Sequence, residues 1–245
     1  MSLPPTCCSV PSVESDYASI GVTERVEDID LYTVGPKDAK RAVVLIYDVF
    51  GPHPNTKQFA DILAKTHGFY VVIPDFFRGD AWNAEKMAND PTWVKIKEWI
   101  ATAGHWEKIS VDLGKVKTHL TASGVKSVGL VGFCWGAKIA VTATGADSWY
   151  AGAALIHPSQ ITTSDAEKAN APILLLPSKD EGDLTEFFEV VKSKPFGAQS
   201  YYQRFDDMHH GWCGARGDYT DPLNKQRATE ALQITADFFA QVIQG

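Results

Sequence analysis

Six short runs of apolar residues, separated by stretches with helical spacing, constrain this chain more than any other feature. The runs are "AVVLIY" (42 to 47), "FYVVIP" (69 to 74), "KSVGLVG" (126 to 132), "YAGAALIHP" (150 to 158), "APILLLP" (171 to 177) and "SYYQRF" (200 to 205). Strands that read as continuous apolar runs are covered on both faces, which is the habit of a parallel sheet. Between them, Phe59, Ile62, Leu63 and Thr66 share one helical face that Gly68 closes. Ile109, Leu113, Val116 and Leu120 share another, ending at Gly124. Residues 222 to 243, with Leu232, Phe239 and Val242, form the terminal helix. The alternation predicts an α/β fold with a mostly parallel central sheet and helices on both faces.

With 245 residues, no internal repeat and no linker, the chain reads as one domain over 1 to 245. Residues 1 to 20, rich in Pro, Ser and Thr, read as an N-terminal arm. The segment from 77 to 106 breaks the rhythm and carries Trp82, Trp93, Trp99 and Trp106. It is either a cap beside the pocket or filling around a crossover helix. A net charge of −7, with no basic run, argues against nucleic acid or an anionic membrane as partner. No secretory signal or bilayer-length apolar run is present. The four cysteines, Cys7, Cys8, Cys134 and Cys213, form no disulfide framework, so a cytoplasmic location is the expectation. The histidines show no metal spacing, and no phosphate-binding glycine motif follows a strand, so no metal or cofactor is expected. A homodimer is left open.

The chemistry concentrates at "LVGFCWGAKIAV". Gly132-Phe133-Cys134-Trp135-Gly136 is the cysteine version of the G-x-S-x-G nucleophile elbow, where a sharp strand-to-helix turn lifts the central side chain. Glycines two positions either side leave room for the turn. The helix N-terminus favours thiolate, and the N–H of Trp135 is an oxyanion donor. A nucleophile, acid, histidine order is expected on such scaffolds. In "SKDEGD", Asp180 is the first acid past its strand, with Glu181 and Asp183 as weaker candidates. In "DDMHHGWCGARGD", His209 and His210 both qualify, and His210, which precedes Gly211, is preferred. Cys213 is a rival thiol without an elbow, and His157 reads as a structural histidine.

Together, "GFCWGAK", "ILLLPSKD", "HHGWCGARGD", "YDVFG", "PDFFRGD" and "ALIHPS" resemble the dienelactone hydrolase family, also called carboxymethylenebutenolidase-like, in its fungal cytosolic branch. The resemblance implies an α/β-hydrolase fold and a Cys134–His210–Asp180 triad. It also implies Val49 as second oxyanion donor and Asp48 as the acid beside the resting thiol, where well-known bacterial members have glutamate. Arg78 and Arg216, the latter shifted by about two positions, stand where the family grips a substrate carboxylate, a task that suits guanidinium. A loop-capping role for Asp48 and surface salt bridges for the arginines are the alternatives. The implied activity is cysteine-dependent hydrolysis of a small ester or lactone through an acyl-enzyme. A general carboxylesterase or thioesterase, and a non-catalytic binding or redox-sensing protein, are the rival readings.

Overall fold

The structure is a computed structural model, and it describes residues 11 to 244. Cys7 and Cys8 lie outside the described residues. Eight strands form one sheet: β1 (Val22–Val26), β2 (Ile29–Val34), β3 (Arg41–Ile46), β4 (Tyr70–Pro74), β5 (Ser127–Phe133), β6 (Tyr150–Ile156), β7 (Ile173–Leu176) and β8 (Tyr201–Tyr202). Their order across the sheet is β1-β2-β4-β3-β5-β6-β7-β8. All pairs from β4 to β8 are parallel, while β1 and β2 add an antiparallel hairpin beside β4.

That hairpin is absent from the sequence reading, for a physical reason. β1 is the polar stretch "VTERV", largely exposed, as suits an edge strand that must not recruit another chain. The opposite edge is also blunt. Only two residues of the expected 200 to 205 strand are regular, and Gln203 N, Phe205 N and the Ser178–Phe205 bridge continue the pairing irregularly.

Helices cover both faces of the sheet. α1 (Pro54–His67) and the later terminal helix Pro222–Val242 pack together on one face. α1 ends on Gly68 at φ 66°, a left-handed cap that glycine adopts without a Cβ penalty. In the 77 to 106 segment lie α2 (Ala84–Ala88) and α3 (Val94–Ala103). α4 (Trp106–Ala122), α5 (Trp135–Ala146), α6 (Thr163–Lys168) and α7 (Thr185–Lys192) follow, and α8 is the terminal helix. α4, α5, α6 and α7 pack in succession. The central strands β3, β4, β5, β6 and β7 are buried almost throughout, so the sheet itself is the middle of the core. Phe59 of α1 meets Phe133 of β5 edge-on at 5.1 Å, and Phe239 of α8 fills the space over Gly129.

This topology sets up the site. β3, β5, β6 and β7 run parallel, so their carboxyl ends share one edge of the sheet. In such sheets the loops leaving that edge bind the ligand.

The Trp-rich segment is tied to this edge through its rings. Trp82 is buried and lies 5.7 Å from Trp99, which lies 4.4 Å from Phe77, itself 5.0 Å from Trp135. Trp135 Nε1 donates to the Gly104 carbonyl at 3.1 Å. Trp93 and Trp106 are partly buried against the core. In the arm, Val13 N donates to Ala215 O at 3.0 Å, and the Tyr17 hydroxyl donates to Asp61 at 2.8 Å.

Candidate active site

Cys134 closes β5 and caps α5 with φ 54° and ψ −114°. A non-glycine residue at positive φ costs of order 1–3 kcal/mol and persists only where its surroundings enforce it. The enforcement is visible: Cys134 N donates to Ile156 O at 3.2 Å, and its carbonyl accepts from Ser159 N at 3.0 Å. The flanking glycines are required by contact rather than by their own dihedrals. A Cβ on Gly132 would sit 2.3 Å from Gly136 O, and one on Gly136 would sit 2.2 Å from Ile46 O. Both obstacles are backbone, which cannot rotate away. Gly136→Ala is therefore expected to destabilise the fold by about 1–3 kcal/mol or more. Chemical denaturation of the purified variant measures it, and an unchanged midpoint would contradict the packing described.

Of the two candidate histidines, His210 is the one that faces the acid loop. Its side chain is buried, whereas His209 is exposed. Nδ1 of His210 lies 2.5 Å from Glu181 Oε1, and the other Glu181 oxygen accepts from Ser178 N. Asp180 is directed elsewhere: its Oδ2 accepts from the backbone N of His210 at 2.8 Å. The carboxylate on the imidazole is thus that of Glu181 and not of Asp180, a correction to the sequence reading. The two adjacent acids divide the work of binding the histidine loop, one gripping the ring and the other the main chain. Arg204 braces the acid loop by donating to the carbonyls of Lys179, Glu181 and Gly182 at 3.3, 2.5 and 3.1 Å. Sequence reasoning missed Glu181 as first choice and Arg204 altogether.

At the end of β3, Asp48 is buried. Its Oδ1 accepts from Phe50 N at 2.9 Å and its Oδ2 from Ala215 N at 3.0 Å, so it joins this loop to the histidine loop. Burial pushes its carboxyl up, opposed by those two N–H groups and by the nearby charges of Arg216 and His210. Val49 is buried, and its carbonyl accepts from Trp82 N at 2.8 Å. Trp135 N–H opens α5, where the first-turn donors have no helical acceptor. Arg216 is buried, with its guanidinium 5.4 Å from the Phe50 ring centroid.

His157 also belongs to this constellation. It ends β6 at φ 38°, is fully buried, stacks on Phe133 at 5.3 Å and meets the His210 ring edge-on at 5.2 Å. Its place at the end of a strand on the active edge was the only sequence signal. Cys213 is fully buried, and burial pushes its thiol well up, which removes it as a source of thiolate.

Arg78 is engaged in an ion-pair network, the alternative that the sequence left open for it beside substrate binding. Nη1 and Nη2 grip both oxygens of Asp112 at 2.8 and 2.9 Å, and Nη2 also reaches Asp28 at 2.9 Å. Burial pushes the Asp112 carboxyl up, but the hydrogen bonds from Arg78 and Lys115 outweigh it and the net shift is downward. A carboxyl lowered in the folded state adds stability above its unfolded pKa, about 4, and loses it as pH falls through the lower folded value. Arg78→Ala is expected to cost about 1–2 kcal/mol at neutral pH, after allowance for partial exposure. The difference from wild type should shrink on acidification below about pH 4. Melting curves at neutral and acid pH check this; a gap that widens in acid would contradict it.

Fold and site define an α/β-hydrolase. The model of the dienelactone hydrolase family matches residues 29–243, and the chain belongs to that family. An uncharacterised AIM2 family protein of Schizosaccharomyces pombe is 32% identical over 232 residues, covering 90% of each chain. A carboxymethylenebutenolidase homolog of Homo sapiens is 35% identical over 127 residues, covering 49% of this chain and 48% of that one. The crystal structure of a dienelactone hydrolase from Anabaena variabilis superposes with a TM-score of 0.65 at 13% identity, over 93% of this chain and 99% of that one, which speaks for the fold. No helix among the described residues is long and apolar enough to cross a membrane.

Proposed function

We propose that this chain is a cysteine-dependent hydrolase of small esters or lactones, acting through Cys134, His210 and Glu181. The observation that carries the reading is the enforced left-handed backbone of Cys134 on the same sheet edge as the buried His210–Glu181 pair. A nucleophile raised on an elbow and an imidazole oriented by a buried carboxylate are the two parts acyl transfer requires.

In acylation, His210 takes the thiol proton and Cys134 Sγ attacks the acyl carbon. The oxygen of the tetrahedral intermediate lies against the N–H groups of Trp135 and Val49. The carbon–oxygen bond to the leaving group then breaks, and the leaving oxygen takes the proton held by His210. A conjugated lactone would leave as an enolate, which is stable enough to need little help. In deacylation, water gives a proton to His210 and its oxygen attacks the thioester. The carbon–sulfur bond breaks, and the thiolate recovers the proton. Nδ1 is on Glu181, so Nε2 is the nitrogen that handles these protons.

Asp48 sets the resting state of the thiol in this scheme. A carboxyl raised by burial is neutral more readily than an exposed one, and when neutral it does not oppose a thiolate. Arg216, buried beside Phe50, is the group for a substrate carboxylate. A reduced thiol is needed throughout, which is the basis for placing the protein in the cytoplasm.

The test is a hydrolysis panel of dienelactone, aryl acetates and acyl thioesters on wild type and Cys134→Ala. Turnover by wild type alone supports the reading; equal rates in both end it. The order of preference within the panel separates a lactonase from a general esterase or thioesterase.

A further inference from the structure

We propose that His157 is a positioning residue for the catalytic imidazole: its ring sets the tilt of the His210 ring, and so the aim of Nε2 at the thiol and at the leaving oxygen. This rests on the hydrolase reading above.

The need for such a residue follows from the His210–Glu181 pair. The hydrogen bond at Nδ1 fixes one atom of the imidazole and leaves the tilt of the ring plane to packing. Proton transfer at Nε2 requires that nitrogen within hydrogen-bond reach and aligned, so the tilt matters. The ring of His157 meets that of His210 at 5.2 Å between centroids and 71° between planes, an edge-to-face contact. Rings packed in this way restrict one another's tilt.

His157 can serve as a reference only if it is itself immobile. It is fully buried, and it stacks on Phe133 at 5.3 Å with the planes 10° apart. Gly214 of the histidine loop packs beside its Cε1–Nε2 edge, where a Cβ would sit 3.6 Å from both atoms. Its main-chain N–H donates to Leu176 O at 2.9 Å, which ties it to β7. The same bend holds the nucleophile: Ile156 O accepts from Cys134 N, and Ser159 N donates to Cys134 O. Residues 156 to 159 therefore index the main chain of Cys134 and the ring of His210 to one another. The position asks for a ring at φ 38°, and histidine is the ring-bearing residue enriched at positive φ.

Phenyl acetate and 4-nitrophenyl acetate test this. Phenoxide is the poorer leaving group and needs the proton that His210 delivers, whereas nitrophenoxide leaves largely unaided. The ratio of their kcat/KM values reads proton delivery and cancels any loss of folded protein. His157→Asn removes the ring and keeps a residue suited to positive φ. It is expected to lower the phenyl-to-nitrophenyl ratio by about 10-fold or more, as misplacement of a reacting group does. His157→Phe keeps a ring, and its ratio should stay within about three-fold of wild type, the cost of positive φ falling on its melting temperature. His157→Leu fills the space without a ring and takes the place of the asparagine variant if that protein does not fold. A ratio unmoved in the ringless variant overturns the proposal, and so does a phenylalanine ratio as low as the ringless one. In either case, a wild type that turns over both esters while Cys134→Ala does not leaves the hydrolase reading standing, and only the role of His157 falls. If wild type hydrolyses neither ester, or Cys134→Ala keeps its rate, the hydrolase reading fails and this role with it.

Discussion

Cys134→Ala should lower kcat/KM for an aryl acetate by about 10⁴-fold or more, leaving what binding and the oxyanion donors supply alone. The expectation follows from position as much as from chemistry. Cys134 stands at φ 54° between two glycines whose Cβ-free backbones pass within van der Waals contact of other main chain. Cys134→Gly should lose activity equally while gaining about 1 kcal/mol of stability, since glycine adopts positive φ without the Cβ cost. Steady-state rates and denaturation of both variants check the pair. Alanine activity within ten-fold of wild type would place the chemistry elsewhere.

The second large effect concerns the two neighbouring acids. Glu181→Gln keeps the shape of the side chain but loses the negative charge beside Nδ1, so the imidazolium that forms in each step is no longer stabilised. A fall in kcat of about 10²–10⁴-fold is expected, the range in which loss of an orienting carboxylate falls. Asp180→Asn keeps an acceptor for the His210 main-chain N–H. Its effect on kcat should be no more than about 10-fold, with a lowered melting temperature if the histidine loop loosens. The kcat values of the two variants, measured with one substrate, settle the assignment. The reverse order would return the triad to Asp180.

What the residues revealed in advance, and what they did not, follows the same physics. β3, β4, β5, β6 and β7 were readable because strands buried on both faces must be apolar along their length. β1 was not, because a solvent-facing edge is written in Thr, Glu and Arg as a loop would be, and β2, though buried, carries Asp30 and Thr33 and so offers no continuous apolar run. The elbow was readable because its glycines are imposed by backbone contact at fixed spacing. The choice between Asp180 and Glu181 was not, because a turn of one residue reverses which acid faces the ring, and both are chemically fit. The partners of Arg78 were hidden for a related reason: Asp112 and Asp28 lie 34 and 50 residues away, and no local pattern announces them. His157 reads from its neighbours as a strand-end histidine, and only the fold brings its ring against His210.

The central claim is that one thiol carries the acyl group, and trapping that species tests it most directly. Wild-type protein mixed with excess aryl acetate, quenched in acid within the first turnovers and digested, should give one peptide heavier by a single acetyl group. The account predicts that this peptide contains Cys134 and that Cys134→Ala, treated and quenched alike, carries no acetyl group. An acetyl group on Cys213, or hydrolysis by wild type with no acyl-protein at any quench time, would contradict it.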